Sequence, residues 1–203
     1  MRKLSATLLF ADLRGLTKAT RDTTADAMEQ LINSHLETMS HCIEALDGTI
    51  VGFGSDGLTV IFGAPQSQSD HALRALVCAT EMQRQHDEWS LKRQSDEALT
   101  PAVAPGLGIG IGTGAVFAGD LGTPDQLRYT AIGEIGKLGA GLCRAAVGGQ
   151  ILITPDVHTT AVSRHRTWSG AVALPRLSFD SLGPSRFKHV ETPTQVISVR
   201  VRR

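Results

Sequence analysis

Apolar and polar residues follow strand-like and helix-like spacings along the first part of the chain. A short apolar run at residues 5–12 predicts a buried strand. Apolar residues then recur with helical spacing over residues 28–46, which predicts an amphipathic helix. Residues 49–53 and 58–63 are two further apolar runs around the turn Ser55-Asp56-Gly57, so we expect a β-hairpin there.

The same reading gives the order of elements up to the C-terminus. Asp70 can cap a second helix, whereas the polar residues 90–105 predict a surface loop. Residues 134–146 predict a short helix and residues 150–154 a strand, and the tail alternates strands and loops up to 195–201. The order βαββαβ with C-terminal additions predicts an α+β fold with a ferredoxin-like core, in which helices pack on a mainly antiparallel sheet.

Glycines dominate one segment of the second half. Residues 106–120 carry a glycine at every second position from Gly106 to Gly114, and we expect a second hairpin there. Because strand side chains alternate between two faces, one face of this segment is nearly bare and permits close approach of another backbone. The spacing differs from the G-x-G-x-x-G phosphate loop, so no dinucleotide-binding turn is indicated.

Composition and charge exclude several classes of function. The chain has 203 residues, which fits a single domain over residues 1–203. The 20 Lys and Arg residues balance the 20 Asp and Glu residues and only 4% of residues are aromatic, so we expect no nucleic-acid partner. No apolar stretch is long enough to span a bilayer. The apolar N-terminal run stops at Asp12, which favours a strand over a signal peptide.

Cysteine and histidine usage gives no sign of a metal or disulfide framework. Cys42, Cys78 and Cys143 fall within helical patterns, and their odd number and wide spacing argue against disulfides and zinc. We therefore expect a reducing, cytoplasmic location. Of the 7 histidines, His35 and His41 are expected in core or surface roles and His71 at a helix start, and the other four show no ligand spacing.

Two aspartates stand where an apolar strand meets a turn. Asp12 ends the first predicted strand, and Asp56 lies in the hairpin turn. A lone aspartate at a strand end is usually a turn or cap residue. Two carboxylates from neighbouring strands, however, form an oxygen-rich pocket suited to Mg²⁺, which keeps other coordination positions for water and phosphate. The pair therefore predicts nucleotide chemistry.

The segments around both aspartates resemble the class III nucleotidyl cyclase family, the adenylate and guanylate cyclases. Phe10-Ala-Asp12-Leu-Arg-Gly-Leu-Thr17 is similar to the first metal motif, with Leu16 in place of the usual Phe. The metal-bearing hairpin is matched by Phe53-Gly-Ser-Asp56-Gly-Leu-Thr-Val-Ile-Phe-Gly-Ala-Pro65. The resemblance covers nearly the whole chain and continues in order through Asp70-His-Ala-Leu-Arg74, Ile109-Gly-Ile-Gly-Thr-Gly114, Tyr129-Thr-Ala-Ile-Gly133, Gly149-Gln-Ile-Leu-Ile153 and Leu182-Gly-Pro184.

The resemblance implies a site for two Mg²⁺ or Mn²⁺ ions and a nucleoside triphosphate. Such enzymes join the 3′-hydroxyl of the nucleotide to its own α-phosphate and release pyrophosphate, which depends on positioning and charge stabilisation. The metals are expected on Asp12, Asp56 and the carbonyl of Leu13. The site spans a dimer interface in this family, and the second subunit supplies base-recognition and transition-state residues. Phosphate is expected on the N–H groups of Gly15, Leu16 and Thr17.

Most of the second subunit's set is missing at the matching positions. The adenine-recognising Lys falls on Gly52, whereas its partner position is Thr130, as in part of the family. The ribose-orienting Asn falls on Lys137 and the transition-state Arg on Gly141, on one face of a helix. The phosphate-binding Lys is retained as Lys188. Losing one oriented donor typically costs about 3 kcal/mol, and losing a transition-state arginine about 10³-fold in rate.

These losses predict a degenerate member in cyclic-nucleotide signalling that is inactive or very weak as a homodimer. A heterodimer with a complete cyclase domain could assemble a working site, with this chain as the metal-bearing, regulatory half. Two alternatives stay open. One is an active cyclase that converts a nucleoside triphosphate to a 3′,5′-cyclic nucleotide and pyrophosphate. Its base choice would be unusual, because Gly52 removes adenine selection. The other is a dimerisation scaffold that binds no nucleotide.

Smaller alternatives concern the altered helix and the fold. Lys137 can supply charge without the fork geometry of Arg, or pair with the aspartates across the interface and displace metal. Arg144, one turn further on, is a weaker substitute. Diguanylate cyclases share a related core, but the hairpin here lacks their Glu-Phe continuation, and we rank that fold well below.

Overall fold

A computed structural model gives the structure of the chain. It describes residues 1–16, 23–54, 57–94, 106–188 and 190–202. Within these ranges the chain forms one 8-stranded sheet with helices on both of its faces.

Bounds of the elements agree with most of the sequence predictions. The strands are β1 (Arg2–Arg14), β2 (Thr49–Phe53), β3 (Gly57–Phe62), β4 (Gly106–Leu121), β5 (Arg128–Ile132), β6 (Gln150–Ile153), β7 (Leu177–Ser185) and β8 (Thr194–Val201). The helices are α1 (Ala25–Glu44), α2 (His71–Gln94), α3 (Glu134–Ala145) and α4 (Pro155–Arg164), followed by a 3₁₀ turn at His165–Thr167. The Thr24 side chain caps α1 by accepting from the N–H of Ala27, and α2 begins directly after Asp70, as predicted.

Sheet topology confirms the ferredoxin-like core. The strand order is β2-β3-β1-β4-β6-β8-β7, with β5 paired to β4 outside this path. Only the β4–β6 pair is parallel among the described strands. The first four strands and the helices α1 and α2 form the predicted βαββαβ unit, and the later elements extend its β4 edge. The predicted α+β class with a mainly antiparallel sheet is confirmed.

The two faces of the central strands are built differently. One face, which we call the apolar face, carries Leu9 and Leu13 of β1 and Ile109 and Ile111 of β4, all buried. These residues share one core cluster with residues of α1, α2 and α4, including Met39, Met82 and Val157. Apolar side chains of the sheet and of the helices thus bury this face, which supplies most of the hydrophobic stabilisation.

The opposite face, which we call the glycine face, carries α3. A Cβ built on Gly110 would overlap the backbone of Gly139 and Cys143, and one built on Gly112 would lie 2.9 Å from the carbonyl of Ile135. A Cβ on Gly139 would in turn lie 2.7 Å from the ring of Phe10. The predicted close backbone approach is therefore confirmed, because α3 lies directly on the glycines of β4.

Two predictions for the middle of the chain were wrong. Residues 106–120 are not a hairpin but one long strand, β4, which pairs with β1 from Gly106 to Ala118. Its hairpin partner is β5, which follows it. Residues 90–94 of the predicted loop belong to α2, because Leu91-Lys-Arg-Gln94 are good helix formers and the Arg93 guanidinium lies 5.3 Å from the Trp89 ring centroid. Residues 95–105 lie outside the described residues.

A helix was missed in the tail, where we expected only strands and loops. The helix α4 begins at Pro155, after Thr154 in an extended conformation, and has Asp156 in its first turn. Proline at the first helical position and an acid in the first turn are start signals that could have identified it. Its buried residues Val157 and Ala161 join the core of the apolar face.

Candidate active site

Asp12 lies near the end of β1, on the glycine face. Its neighbours across the sheet are Gly57 of β3 and Gly108 of β4. A Cβ on Gly57 would overlap the carbonyl of Ala11 and lie 2.9 Å from Asp12 Oδ1. Because neither neighbour has a side chain, the carboxylate stays 22% exposed at the edge of the protein and one oxygen faces the β2–β3 hairpin.

The second predicted carboxylate belongs to the tip of this hairpin. Asp56 itself lies outside the described residues, and so does Thr17. On either side of the tip, the N–H of Gly54 donates to the carbonyl of Gly57 at 2.7 Å, which closes the hairpin. The chain around Asp56 is therefore the predicted hairpin, and the position of its carboxylate stays a prediction.

The turn after β1 follows the sequence prediction as far as it is described. Gly15 has φ 84°, a left-handed conformation that favours glycine and ends the strand. Leu16 is buried and packs into the core cluster of the apolar face. The side chain of Leu13 points to the same core, so only its backbone is available to a ligand.

Arg14 was not among the predicted site residues, yet it contacts Asp12 directly. Its Nη1 donates to Asp12 Oδ2 at 2.7 Å, and its Nη2 donates to the carbonyl of Cys143 at the end of α3. The guanidinium lies where a side chain on Gly108 would stand, since a Cβ there would lie 2.6 Å from Nη2. A position two residues after Asp12 lies on the same strand face, which is the signal that could have identified it.

Cys143 of α3 contacts both Arg14 and the neighbouring strand β4. Its thiol donates to the carbonyl of Gly108 at 3.4 Å. Burial raises the pKa of the Cys143 thiol to about 11, and the nearby Asp12 carboxylate adds to the rise. The thiol therefore stays protonated at neutral pH, as expected for a packing residue rather than a nucleophile.

The two positions at which the resemblance implies transition-state residues lie on α3. Lys137 is exposed, whereas Gly141, one turn later, is buried. A Cβ on Gly141 would lie 2.8 Å from Phe187 Cδ1 and 3.1 Å from Phe187 Cβ. Phe187 packs there against a small core cluster made of Leu142, Ala146, Leu152 and Val196. The aromatic ring thus takes the space that an arginine side chain at position 141 would need.

The remaining predicted residues lie in β2, in β5 and in the segment after β7. Gly52 lies in β2 at a register irregularity, and a Cβ there would meet nothing closer than Thr59 at 3.9 Å. Thr130 is half-buried in β5, opposite Gly119. Lys188 is exposed and directly follows Phe187. The described residues include no group of three or more His, Cys, Asp or Glu side chains that could hold a metal.

Comparison with known proteins identifies the family of this chain. The family model described as "Adenylate and Guanylate cyclase catalytic domain" matches residues 2–170. The chain belongs to this family. This cyclase domain is 29% identical to the guanylyl cyclase Cya2, whose structure it matches with a TM-score of 0.81 over 98% of this chain and 92% of that one.

Two more relatives agree with the assignment. The adenylyl cyclase CyaB from P. aeruginosa matches all of this cyclase domain (100%) and 96% of its own chain with a TM-score of 0.87, and at 24% identity it shows the shared fold. An adenylate cyclase of Anabaena cylindrica is 28% identical over 74% of this chain. The chain spans only 19% to 30% of the length of the curated adenylate cyclases that it matches. None of the helices in the described ranges is long and apolar enough to cross a membrane.

Proposed function

We propose that this cyclase domain binds a divalent cation and a nucleoside triphosphate, but acts as the metal-bearing half of a dimer rather than as a complete enzyme. The observation that carries the proposal is the packing of Phe187 against Gly141. At the family's arginine position the side chain is absent, and its space is filled. At the other half of the site, Asp12 is retained and held in a defined orientation by Arg14.

The cation site would consist of oxygen atoms from two neighbouring strands. Asp12 and Asp56 would supply carboxylates and Leu13 its backbone carbonyl, the ligand type that Mg²⁺ and Mn²⁺ prefer. The bare Gly57 supports this fit, because it lets the hairpin backbone approach Asp12 Oδ1. When bound, such cations stabilise charge on the triphosphate and lower the pKa of a bound hydroxyl.

Phosphate binding would involve the turn after β1 and the segment after Phe187. The left-handed Gly15 turns the chain so that N–H groups of Gly15, Leu16 and Thr17 can face an anion. Lys188, which belongs to the second subunit's set, would add a positive charge from its exposed position to the site across the dimer interface. These groups hold and orient the triphosphate, and none of them replaces the missing transition-state donor.

Chemistry on this domain alone would be slow. Lys137 has one ammonium group and lacks the bidentate geometry of an arginine, and Gly141 offers no donor. A missing transition-state arginine costs about 10³-fold in rate, and a missing oriented donor about 3 kcal/mol of barrier. A partner domain that carries Lys, Asn and Arg at these positions would complete the site across a dimer interface.

A specific observation favours one alternative, an active cyclase with unusual base choice. The space beside Gly52 is open, so no other side chain occupies the place of the family's lysine in the proposed base pocket. A different base could use that room and the hydroxyl of Thr130. Assay of the pure protein with ATP, GTP, CTP and UTP decides between the readings, because the proposed function requires negligible turnover of all four.

A complementation experiment tests the proposal. We would mix this domain with a complete class III cyclase domain whose own metal aspartates are replaced by asparagine, and measure cyclic nucleotide. Product should appear only in the mixture, and Asp12→Asn in this chain should abolish it, whereas Asp120→Asn, at an exposed carboxylate, should not. A mixture no more active than the blocked partner alone would contradict the proposal.

Thermal shift separates the third reading, a scaffold that binds no nucleotide. Saturating Mn²⁺ and triphosphate at about 100 times Kd should stabilise the fold by about 2.7 kcal/mol. The shift should vanish in Asp12→Asn and persist in Asp120→Asn. No shift with any triphosphate would favour the scaffold.

A further inference from the structure

The guanidinium of Arg14 contacts three elements at once. Nη1 donates to Asp12 Oδ2 at 2.7 Å on β1, and Nη2 donates to the carbonyl of Cys143 on α3. The group lies over Gly108 of β4, where a Cβ would be 2.7 Å from Nε. This Nε is buried and finds no hydrogen-bond partner among the described residues, so the hydrogen bonds of the guanidinium come from its two terminal nitrogens.

This geometry places the two oxygens of Asp12 toward different neighbours. Arg14 bonds Oδ2, whereas Oδ1 lies on the side of Gly57, next in sequence to Asp56. A carboxylate at a strand end can rotate between several orientations. The bond from Arg14 selects the orientation in which Oδ1 faces the hairpin.

We propose that Arg14 is a positioning residue that fixes the orientation of Asp12 and ties this carboxylate to the last turn of α3. The part of this inference that concerns cation binding rests on the proposed function. In a dimer with shared sites, the α3 helix of one subunit serves the site whose aspartates belong to the other. A single chain therefore contributes its aspartates to one site and its α3 helix to the other, and Arg14 links these two contributions.

Only arginine suits this role, because its planar fork donates in two directions from one rigid group. A lysine could reach Asp12 or the carbonyl of Cys143, but its single ammonium cannot hold both at the observed geometry. The variants Arg14→Lys and Arg14→Gln therefore separate the two contacts. Arg2→Gln is the matched control, because Arg2 is an exposed arginine on the same strand as Arg14.

Mn²⁺ titration of the full chain, followed by electron paramagnetic resonance, tests the positioning of Asp12. Replacing a group that orients a metal ligand typically weakens affinity by about tenfold or more. We expect such a loss for Arg14→Gln, substantial rescue in Arg14→Lys, and no change in Arg2→Gln. Equal or tighter Mn²⁺ binding by Arg14→Gln would overturn the inference, because Arg14 would then be a bystander or a competitor of the metal.

Amide hydrogen exchange, measured without metal, tests the link between Asp12 and α3. This test decides the inference even if the wild-type chain binds no Mn²⁺. Absence of Mn²⁺ binding would refute only the proposed function. Arg14→Gln, Arg14→Lys and Asp12→Asn should each accelerate exchange in the last turn of α3. The double variant Asp12→Asn with Arg14→Gln should accelerate it no further than Arg14→Gln alone. Unchanged exchange, or fully additive effects, would show that Asp12 and α3 are not linked through Arg14.

Discussion

The apolar face and the glycine face of the central strands solve the same packing problem in opposite ways. On the apolar face, Leu9 and Ile109 fill the space between the sheet and the helices α1, α2 and α4. On the glycine face, Gly110 and Gly112 leave no space to fill, because α3 lies against the strand backbone. The two faces belong to the same strands and differ only in alternate residues.

This difference separates stability from chemistry. The apolar face resembles an ordinary core, in which similar side chains can replace each other at modest cost. The glycine face holds Asp12 and Arg14, and the hydrogen bonds of Arg14 join Asp12 to α3, the helix that carries Lys137. A ligand site needs fixed positions, and a face built from backbone contacts provides them.

The largest expected effect is the repair of the altered helix on the glycine face. Lys137→Asn and Gly141→Arg restore the family's residues, and Phe187→Leu clears the space that the arginine needs. The triple variant should raise homodimer cyclase activity by about 10³-fold, the contribution of a transition-state arginine. The assay is cyclic nucleotide formation from each of the four triphosphates.

Two controls sharpen this experiment. Lys137→Asn with Gly141→Arg alone should stay inactive and melt at a lower temperature, because Phe187 still occupies the space beside position 141. Asp12→Asn should silence the triple variant. If the double variant were as active and as stable as the triple one, Phe187 would not be the obstacle.

The next effect concerns the contact of α3 with the sheet. Gly110→Ala should cost about 3 kcal/mol of unfolding free energy, because its Cβ would overlap the backbone of Gly139 and Cys143, which cannot move like a flexible side chain. Gly52→Ala is the matched control, since its Cβ would have Thr59 no closer than 3.9 Å. Urea unfolding measures both. Equal costs for the two variants would contradict the described packing of α3.

A smaller, pH-dependent effect belongs to the apolar face. His35 is buried between α1 and α2, with its Nε2 3.2 Å from Nδ1 of His86. Burial, aided by His86, lowers the pKa of His35 from 6.5 to about 3. Between these values the unfolded chain binds the proton and the folded one does not. Stability should therefore fall with decreasing pH by up to about 1.4 kcal/mol per pH unit.

Replacement of this histidine tests the assignment. His35→Leu should flatten the dependence of unfolding free energy on pH below about 6, the range that starts at the ordinary histidine pKa. His41→Gln, at an exposed histidine of the same helix, should leave the slope unchanged. An unaltered slope in His35→Leu would place the pH sensitivity elsewhere in the fold.

The smallest effect is expected at the exposed rim of the proposed site. Lys188→Gln should weaken triphosphate binding by about tenfold, or about 1.4 kcal/mol, because it removes one charge-assisted contact. Lys3→Gln, at another exposed lysine, is the control. Fluorescence titration with a labelled triphosphate measures both. Equal affinity in the two variants would exclude Lys188 from the phosphate site.

The amino-acid sequence by itself determined the order of the elements of the βαββαβ core and the identity of the family. Local spacing sufficed for β1, α1, the β2–β3 hairpin and α3, because periodic burial imprints the period of each element on its residues. The bare face of β4 was also predictable, since alternate glycines can only face one way. The motif around Asp12 predicted one half of a site, because its residues are contiguous in the sequence.

Only the tertiary structure decided which distant residues meet. Residues 106–120 looked like a hairpin, but pairing with β1 along their whole length keeps them one strand. The contacts of Arg14 with Cys143 and of Phe187 with Gly141 join residues far apart in sequence, and no periodicity records such pairs. They depend on how closely α3 approaches the sheet, a distance fixed by the packing of the whole glycine face.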